Sequence, residues 1–175
     1  VNIWDIEREE LLHSLLGHTA GVTSLLLTNH GRLITACGSD SSAMDCSAKV
    51  WDIDRGVLLH SLDGHTAGIT SLVLTPDDHL VTACGGDYGL DTTVRVWDIK
   101  QGALVHSLRG HTNSVGLTLR MLDRNHVVSA SANAVILWNL RLGTSIAQFT
   151  PDGDIRAVEV SQDQTIILGD GLGRV

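Results

Sequence analysis

Aromatic side chains are nearly absent from this 175-residue chain, making up 3% of it as four Trp, one Tyr and one Phe. With so few aromatics, each Trp needs an account of its own. Basic side chains are scarce too. Twelve Lys and Arg stand against twenty Asp and Glu, a formal charge of −8, and a field of that sign repels the phosphate backbones that clustered Lys and Arg bind. Nucleic acid is therefore excluded from the expected partners. Apolar runs are short: Val22 to Leu27 is broken by Thr23 and Ser24, and no stretch approaches the roughly 18 uninterrupted apolar residues of a membrane-spanning helix, so no membrane partner is expected. The opening Val-Asn-Ile-Trp has no initiator Met and no basic region ahead of an apolar signal core, and is read as a cut end. What remains is a composition that folds. Charged residues at 18%, hydrophobic residues at 43% and a mean hydropathy of +0.14 exclude a disordered tail. The length suffices for one domain burying roughly 70% of the surface its unfolded form exposes.

The Trp residues fall at 4, 51, 97 and 138, with spacings of 47, 46 and 41 residues, and a period in that range signals a repeat architecture. The segment from His13 to Thr28 matches that from His60 to Thr75 at 13 of 16 positions. Gly-His-Thr recurs at Gly17, Gly64 and Gly110, each His lying 14 residues after the preceding Trp. Between these landmarks lie short runs rich in Val, Ile, Leu and Thr, bounded by polar or Gly-containing turns. In the best-formed repeat they are Ile69–Thr75, His79–Cys84, Val94–Ile99 and Leu104–Leu108. Four short strands per repeat, with no helical periodicity, predict an all-β array. Because the apolar runs are nearly continuous, the strands are expected to be covered on both faces.

Gly-His followed 27 to 33 residues later by Trp-Asp, in a unit of four strands, resembles the WD-repeat β-propeller family. Trp4-Asp5, Trp51-Asp52, Trp97-Asp98 and the variant Trp138-Asn139 carry the motif, so the resemblance covers residues 1–150 and weakens beyond. It implies four-stranded antiparallel blades, each holding a hydrogen-bonded set of the Gly-His imidazole, an Asp from the turn between the second and third strands, a Ser or Thr and the Trp indole. A buried indole N–H and a buried imidazole both need partners, and a linked chain satisfies them together. By position the sets are His18, Thr35, Asp45 and Trp51, then His65, Thr82, Asp91 and Trp97, then His111, Ser129, Asn133 and Trp138. Counting forward from the second strand points instead to Asp40 and Asp87, so the choice of Asp stays open. Asn133 stands where an Asp is expected, and this is predicted to be the loosest blade.

The implied organisation is a single array over 1–175: a half blade at 1–16 supplying third and fourth strands, full blades at 17–62, 64–108 and 110–149, and a partial closing blade at 150–175. Its two halves either combine into a closed four-bladed ring or belong to a fragment of a larger propeller, the preferred reading. The closing segment resembles the last repeat of the C-terminal WD arrays of bacterial STAND-type signalling proteins. No nucleotide-binding motif accompanies it, since Gly169 to Gly173 is not followed by Lys-Ser/Thr.

The nine His and three Cys are read as structural, and neither metal nor any other cofactor is expected. His13, His60 and His106 share one strand position. Cys37 and Cys84 share another, where small thiols pack as hydrophobes. An odd cysteine count with two in equivalent core strands favours reduced thiols and a cytoplasmic setting. A Ser-His-Asp reading of the sets fails, because a catalytic centre would not recur three times, and no enzyme is expected. The turns at 38–45 and 85–91 are lengthened and emerge on one face, and loops on a rigid scaffold commonly carry recognition. They hold Asp40 and Met44, and Asp87 and Tyr88. A protein or peptide ligand is the expected partner, with Tyr and Met suited to contact surfaces; the oligomeric state stays open. The expected function is a non-enzymatic interaction scaffold or sensor within a larger signalling protein. The alternative is a substrate receptor of a cullin-type ubiquitin ligase, whose Trp-Asp-x-Arg signature Trp97 to Lys100 and Trp138 to Arg141 resemble.

Overall fold

The computed structural model describes residues 1–38, 45–85, 91–113 and 118–173, and among them there are sixteen strands and no helix. The strands form five separate antiparallel sheets, each a meander in chain order. A two-stranded sheet, β1 (Asn2–Asp5) and β2 (Glu10–Ser14), comes first. Sheet I holds β3 (Val22–Leu27), β4 (Arg32–Cys37), β5 (Ala48–Asp52) and β6 (Val57–Leu62). Sheet II holds β7 (Ile69–Leu74), β8 (His79–Cys84), β9 (Val94–Asp98) and β10 (Ala103–Leu108). Sheet III holds β11 (Thr118–Met121), β12 (His126–Ala130), β13 (Val135–Asn139) and β14 (Thr144–Phe149). A second two-stranded sheet, β15 (Ile155–Val160) and β16 (Ile166–Asp170), ends the chain.

Register is shared between sheets, which is how the sequence repeat becomes a structural one. Trp51, Trp97 and Trp138 sit opposite Leu33, Leu80 and Val127. A one-residue irregularity falls at the same place on each third and fourth strand pair, including β1 with β2. Such a bulge sharpens the twist of the outer edge. Successive sheets pack through their first strands, β3 on β7, β7 on β11 and β11 on β15. One apolar core lies in each seam: Ile34, Val50, Trp97 and Ile99 between sheets I and II; Val81, Val96, Trp138 and Leu140 between II and III; Val128, Ile155 and Val158 between III and the last pair.

The expectation that every strand is covered on both faces holds only for the second and third strands of sheets I to III. β4, β8 and β12 are almost wholly buried, whereas the first three residues of β6, Val57 to Leu59, are exposed, as are those of β10 and β14. The fourth strands β6 and β10 join a seam core at their last residues, Leu62 and Leu108, and leave their first three residues outside it, so an unbroken apolar run does not by itself mark a buried strand there.

Candidate functional site

The hydrogen-bonded sets are assembled from three elements of each sheet. The loop before the first strand brings the imidazole, the second strand brings a hydroxyl, and the third strand brings the indole. In sheet I, Trp51 Nε1–H donates to Thr35 Oγ1 at 2.9 Å, His18 Nε2 lies 2.7 Å from the same oxygen, and His18 Nδ1 lies 2.6 Å from Asp45 Oδ2. In sheet II the corresponding distances are 2.9 Å for Trp97 to Thr82, 2.7 Å for Thr82 to His65 and 2.8 Å for His65 to Asp91. A carboxylate only accepts, so Nδ1 of a neutral imidazole carries the proton and Nε2 accepts from the threonine hydroxyl. Each threonine hydroxyl then accepts from the indole and donates to the imidazole. The carboxylates are tied further, Asp45 to the Thr19 N–H and to both the amide and hydroxyl of Ser47, Asp91 to the Thr66 N–H and to Thr93. Among the described residues no buried side-chain N or O lacks a partner.

These contacts set the charge states. Burial alone pushes the Asp45 and Asp91 carboxyls up, but the bonds from Ser47 and His18, and from His65 and Thr93, outweigh it and hold both well below the usual carboxylate range. Burial lowers the His65 imidazole, with Asp91 opposing. Of the two aspartates considered for each turn, Asp45 and Asp91 meet the imidazoles; Asp40 and Asp87 lie outside the described residues.

Sheet III differs. Trp138 Nε1–H donates to Ser129 Oγ at 2.7 Å, and His111 Nε2 lies 2.7 Å from that oxygen. Asn133 does not touch the imidazole. Ser131 stands between them, its Oγ 3.2 Å from His111 Nδ1 and donating to Asn133 Oδ1 at 2.9 Å. The Asn133 amide reaches Thr112 instead, at 3.3 Å. The turn here is too short to carry the amide to the ring, and a serine hydroxyl relays the bond. With no carboxylate beside it, burial drives the His111 imidazole down to about 4.

A grouping the sequence reading did not assemble is that Cys37 joins His18 and Asp45, and Cys84 joins His65 and Asp91, with ligand-capable atoms within 4.8 Å of one another. Metal-capable groups are therefore gathered within single sheets and not only repeated along the array. The chemistry of the donors still does not fit a metal. Both imidazole nitrogens and the carboxylate oxygens are engaged in hydrogen bonds. Burial raises both thiols, Cys37 to about 12, so metal binding would also have to displace both thiol protons. Cys37, Cys46 and Cys84 are all free.

His13, His60 and His106 have a role that the sequence signal concealed. Each leans across a seam onto the turn between the third and fourth strands of the next sheet. His13 Nε2 lies 3.2 Å from the Asp54 carbonyl and His60 Nε2 3.1 Å from that of Lys100. The rings lie over Gly56, Gly102 and Gly143, all left-handed with φ of 66 to 68°. A Cβ on any of the three would come to 2.5 Å from the Nδ1 of the facing His. Glycine is required there by both backbone and space.

Asp40, Met44, Asp87 and Tyr88, the contact residues picked out in the two long turns, lie outside the described residues. The residues flanking them, Gly38 and Asp45, and Gly85 and Asp91, lie on the edge of the array that also carries His18 and His65. On the opposite edge a cleft of ≈320 Å³ opens between sheets II and III, lined by Asp77, His79, His106, Arg124 and Arg141 among others. No helix is long and apolar enough to cross a membrane.

Residues 9–52 and 56–98 match the family model described as WD domain, G-beta repeat. Among solved structures, the chain is similar to the computationally designed Ika4 protein, at 27% identity and a TM-score of 0.75 over 93% of each chain. It is also similar to the computationally designed Ika8 protein, at 27% identity and a TM-score of 0.79, over 98% of this chain and 50% of that one. Both are designed β-propeller proteins. No curated protein matches the chain.

Proposed function

The chain belongs to the WD40-repeat family, and on that premise we propose that it is a non-enzymatic interaction domain whose partner, a protein or peptide, docks on the edge carrying the turns at 38–45 and 85–91. WD40 domains generally mediate protein–protein interaction and are generally non-enzymatic. The observation that supports this reading most is the saturation of the three imidazole sets. Their polar atoms are consumed inside the sheets, which leaves recognition to what the scaffold displays. The two long turns interrupt the repeat in adjacent sheets, and each is anchored at its end by a buried carboxylate, Asp45 or Asp91. The scaffold is thereby held by hydrogen bonds from the residue at which each variable segment ends. We place the domain in the cytoplasm, as the free thiols suggest, and within a larger signalling protein.

The test is affinity capture with the intact chain and with a variant in which residues 39–44 and 86–90 are each replaced by Asn-Gly. Asp45 and Asp91 are kept, so the imidazole sets survive. Proteins held by the intact chain and lost by the variant support the assignment; an unchanged capture profile contradicts it.

A further inference from the structure

We infer that the cleft between sheets II and III is a second binding site, one that takes a phosphomonoester carried on an apolar group. It opens on the edge opposite the one that carries His18 and His65, so it stands apart from the partner face proposed above. The turns of the two sheets build it. The β7–β8 turn brings Asp77, the β11–β12 turn brings Arg124 and Asn125, and the β13–β14 turn brings Arg141. Val105 and Leu140 form an apolar wall, and His106 lines the cleft from β10. Two guanidinium groups stand against one carboxylate, so the cleft is cationic even with its imidazoles neutral, in a chain whose formal charge is −8. His79 also lines it, but sits opposite Asp98 across the β8–β9 ladder.

The same place between sheets I and II shows a self-neutralised version. A smaller cleft of ≈220 Å³ lies there, lined by His30, Arg32, Asp78 and Lys100 among others. Asp78 and Asn125 each immediately precede a second strand, and Lys100 and Arg141 each lie three residues after a Trp, so the two clefts correspond residue by residue. Asp78 Oδ2 lies 3.4 Å from Lys100 Nζ and 3.5 Å from His30 Nε2, and Arg32 Nη1 donates to the Ile99 carbonyl. The protein itself engages each of those basic groups. Between sheets II and III the uncharged Asn125 replaces the carboxylate, and Arg141 makes no ion pair or hydrogen bond among the described residues. Arg124 has only Asp77, at 3.9 Å with both side chains more than half exposed, a contact that water and salt screen.

His106 supplies an independent observation. Its equivalents His13 and His60 donate from Nε2 to the carbonyls of Asp54 and Lys100. The His106 ring lies over Gly143 as theirs lie over Gly56 and Gly102, yet it bonds neither the Arg141 carbonyl nor any other described residue. A half-buried imidazole in the wall of the cleft therefore keeps its ring nitrogens for a ligand.

The donors select the ligand. A carboxylate has two oxygens, which one guanidinium fork saturates. A phosphomonoester has three oxygens and up to two charges, enough to be shared between Arg124, Arg141 and the imidazole. Val105 and Leu140 add nothing to anion binding and fit a non-polar stem, and the cleft, at ≈320 Å³, is of the size of a small ligand site.

The test is titration of the isotope-labelled 175-residue chain with phenyl phosphate, followed by its amide and arginine side-chain resonances. Expected are saturable shifts at Arg124, Arg141 and His106, none at His18 and His65, and phenyl phosphate held about tenfold or more tightly than benzoate. Arg141→Gln and, separately, Asn125→Asp should each weaken binding by about tenfold or more with the rest of the spectrum in place; the second restores the carboxylate that Asp78 supplies in the other cleft. No saturable binding, equal affinity for benzoate, shifts centred on the edge of His18 and His65, or an affinity unmoved by either substitution would overturn the inference. A short peptide carrying phosphotyrosine separates the two sources of such a group. Binding tighter than that of phenyl phosphate supports the cleft as a site for a modified protein segment; equal or weaker binding supports it as a site for a small phosphate ester.

Discussion

His111 Nδ1 lies 3.2 Å from the Ser131 hydroxyl, in the place where His18 and His65 face the carboxylates of Asp45 and Asp91 at 2.6 and 2.8 Å. A hydroxyl does not compensate an imidazolium, so the buried ring is held neutral and its pKa falls to about 4. In the unfolded chain the same ring takes up a proton near pH 6.5. Between those values the unfolded state binds more protons than the folded one. The stabilisation is thus complete above about pH 6.5 and is lost as pH falls toward 4, by on the order of 2–3 kcal/mol. Urea unfolding at about pH 7.5 and about pH 5 should show this loss in the unaltered chain and a smaller one in His111→Gln. Equal losses would contradict the assignment. His65, also lowered by burial, leaves a residual slope.

Thr82 serves two buried groups at once, accepting from the Trp97 indole and donating to His65 Nε2. Thr82→Val preserves shape and strands both. The expected loss is about 2–4 kcal/mol by chemical denaturation, the cost of two unpaired buried polar groups. A loss below about 1 kcal/mol would show that the set contributes little.

Sheet III combines the weaker relay through Ser131 with an imidazole that has no carboxylate partner. Amide exchange should therefore be faster over residues 126–140 than over 79–99, the matching segment of sheet II. Equally slow exchange in the two segments would remove the distinction between the sets.

Gly102 carries φ 66° beneath the His60 ring, with no room for a Cβ. Gly102→Ala should cost about 1–3 kcal/mol from strain and collision combined. Part of that loss is the collision alone, so adding His60→Ala should recover some of it, a coupling that a double-mutant cycle measures. Strict additivity would place the cost wholly in the backbone.

The offsets linking His18, Thr35 and Trp51 and their counterparts were legible in the sequence because each set draws on fixed positions of a repeating unit. The Asp was not, because the turns that deliver Asp45 and Asp91 vary in length and offer a second carboxylate, and no spacing rule ranks two candidates in one turn. Ser131 was hidden for the same reason: it takes over a contact that position alone assigns to Asn133. The facing of His60 with Gly102 joins different repeats, and a reading confined to one repeat at a time passes over it. The recurrence of both residues in three copies, His13, His60 and His106 with Gly56, Gly102 and Gly143, was the available signal. The exposed fourth strands were misjudged because their apolar content does not distinguish a seam from an outer edge.

The most direct test of the binding face is backbone amide exchange of the chain with and without a partner recovered by capture. Protection concentrated at residues 38–45, 85–91 and the neighbouring Gly-His turns at 17–19 and 64–66 is the predicted result. Protection confined to the opposite edge, around Asp77, Arg124 and Arg141, would contradict it.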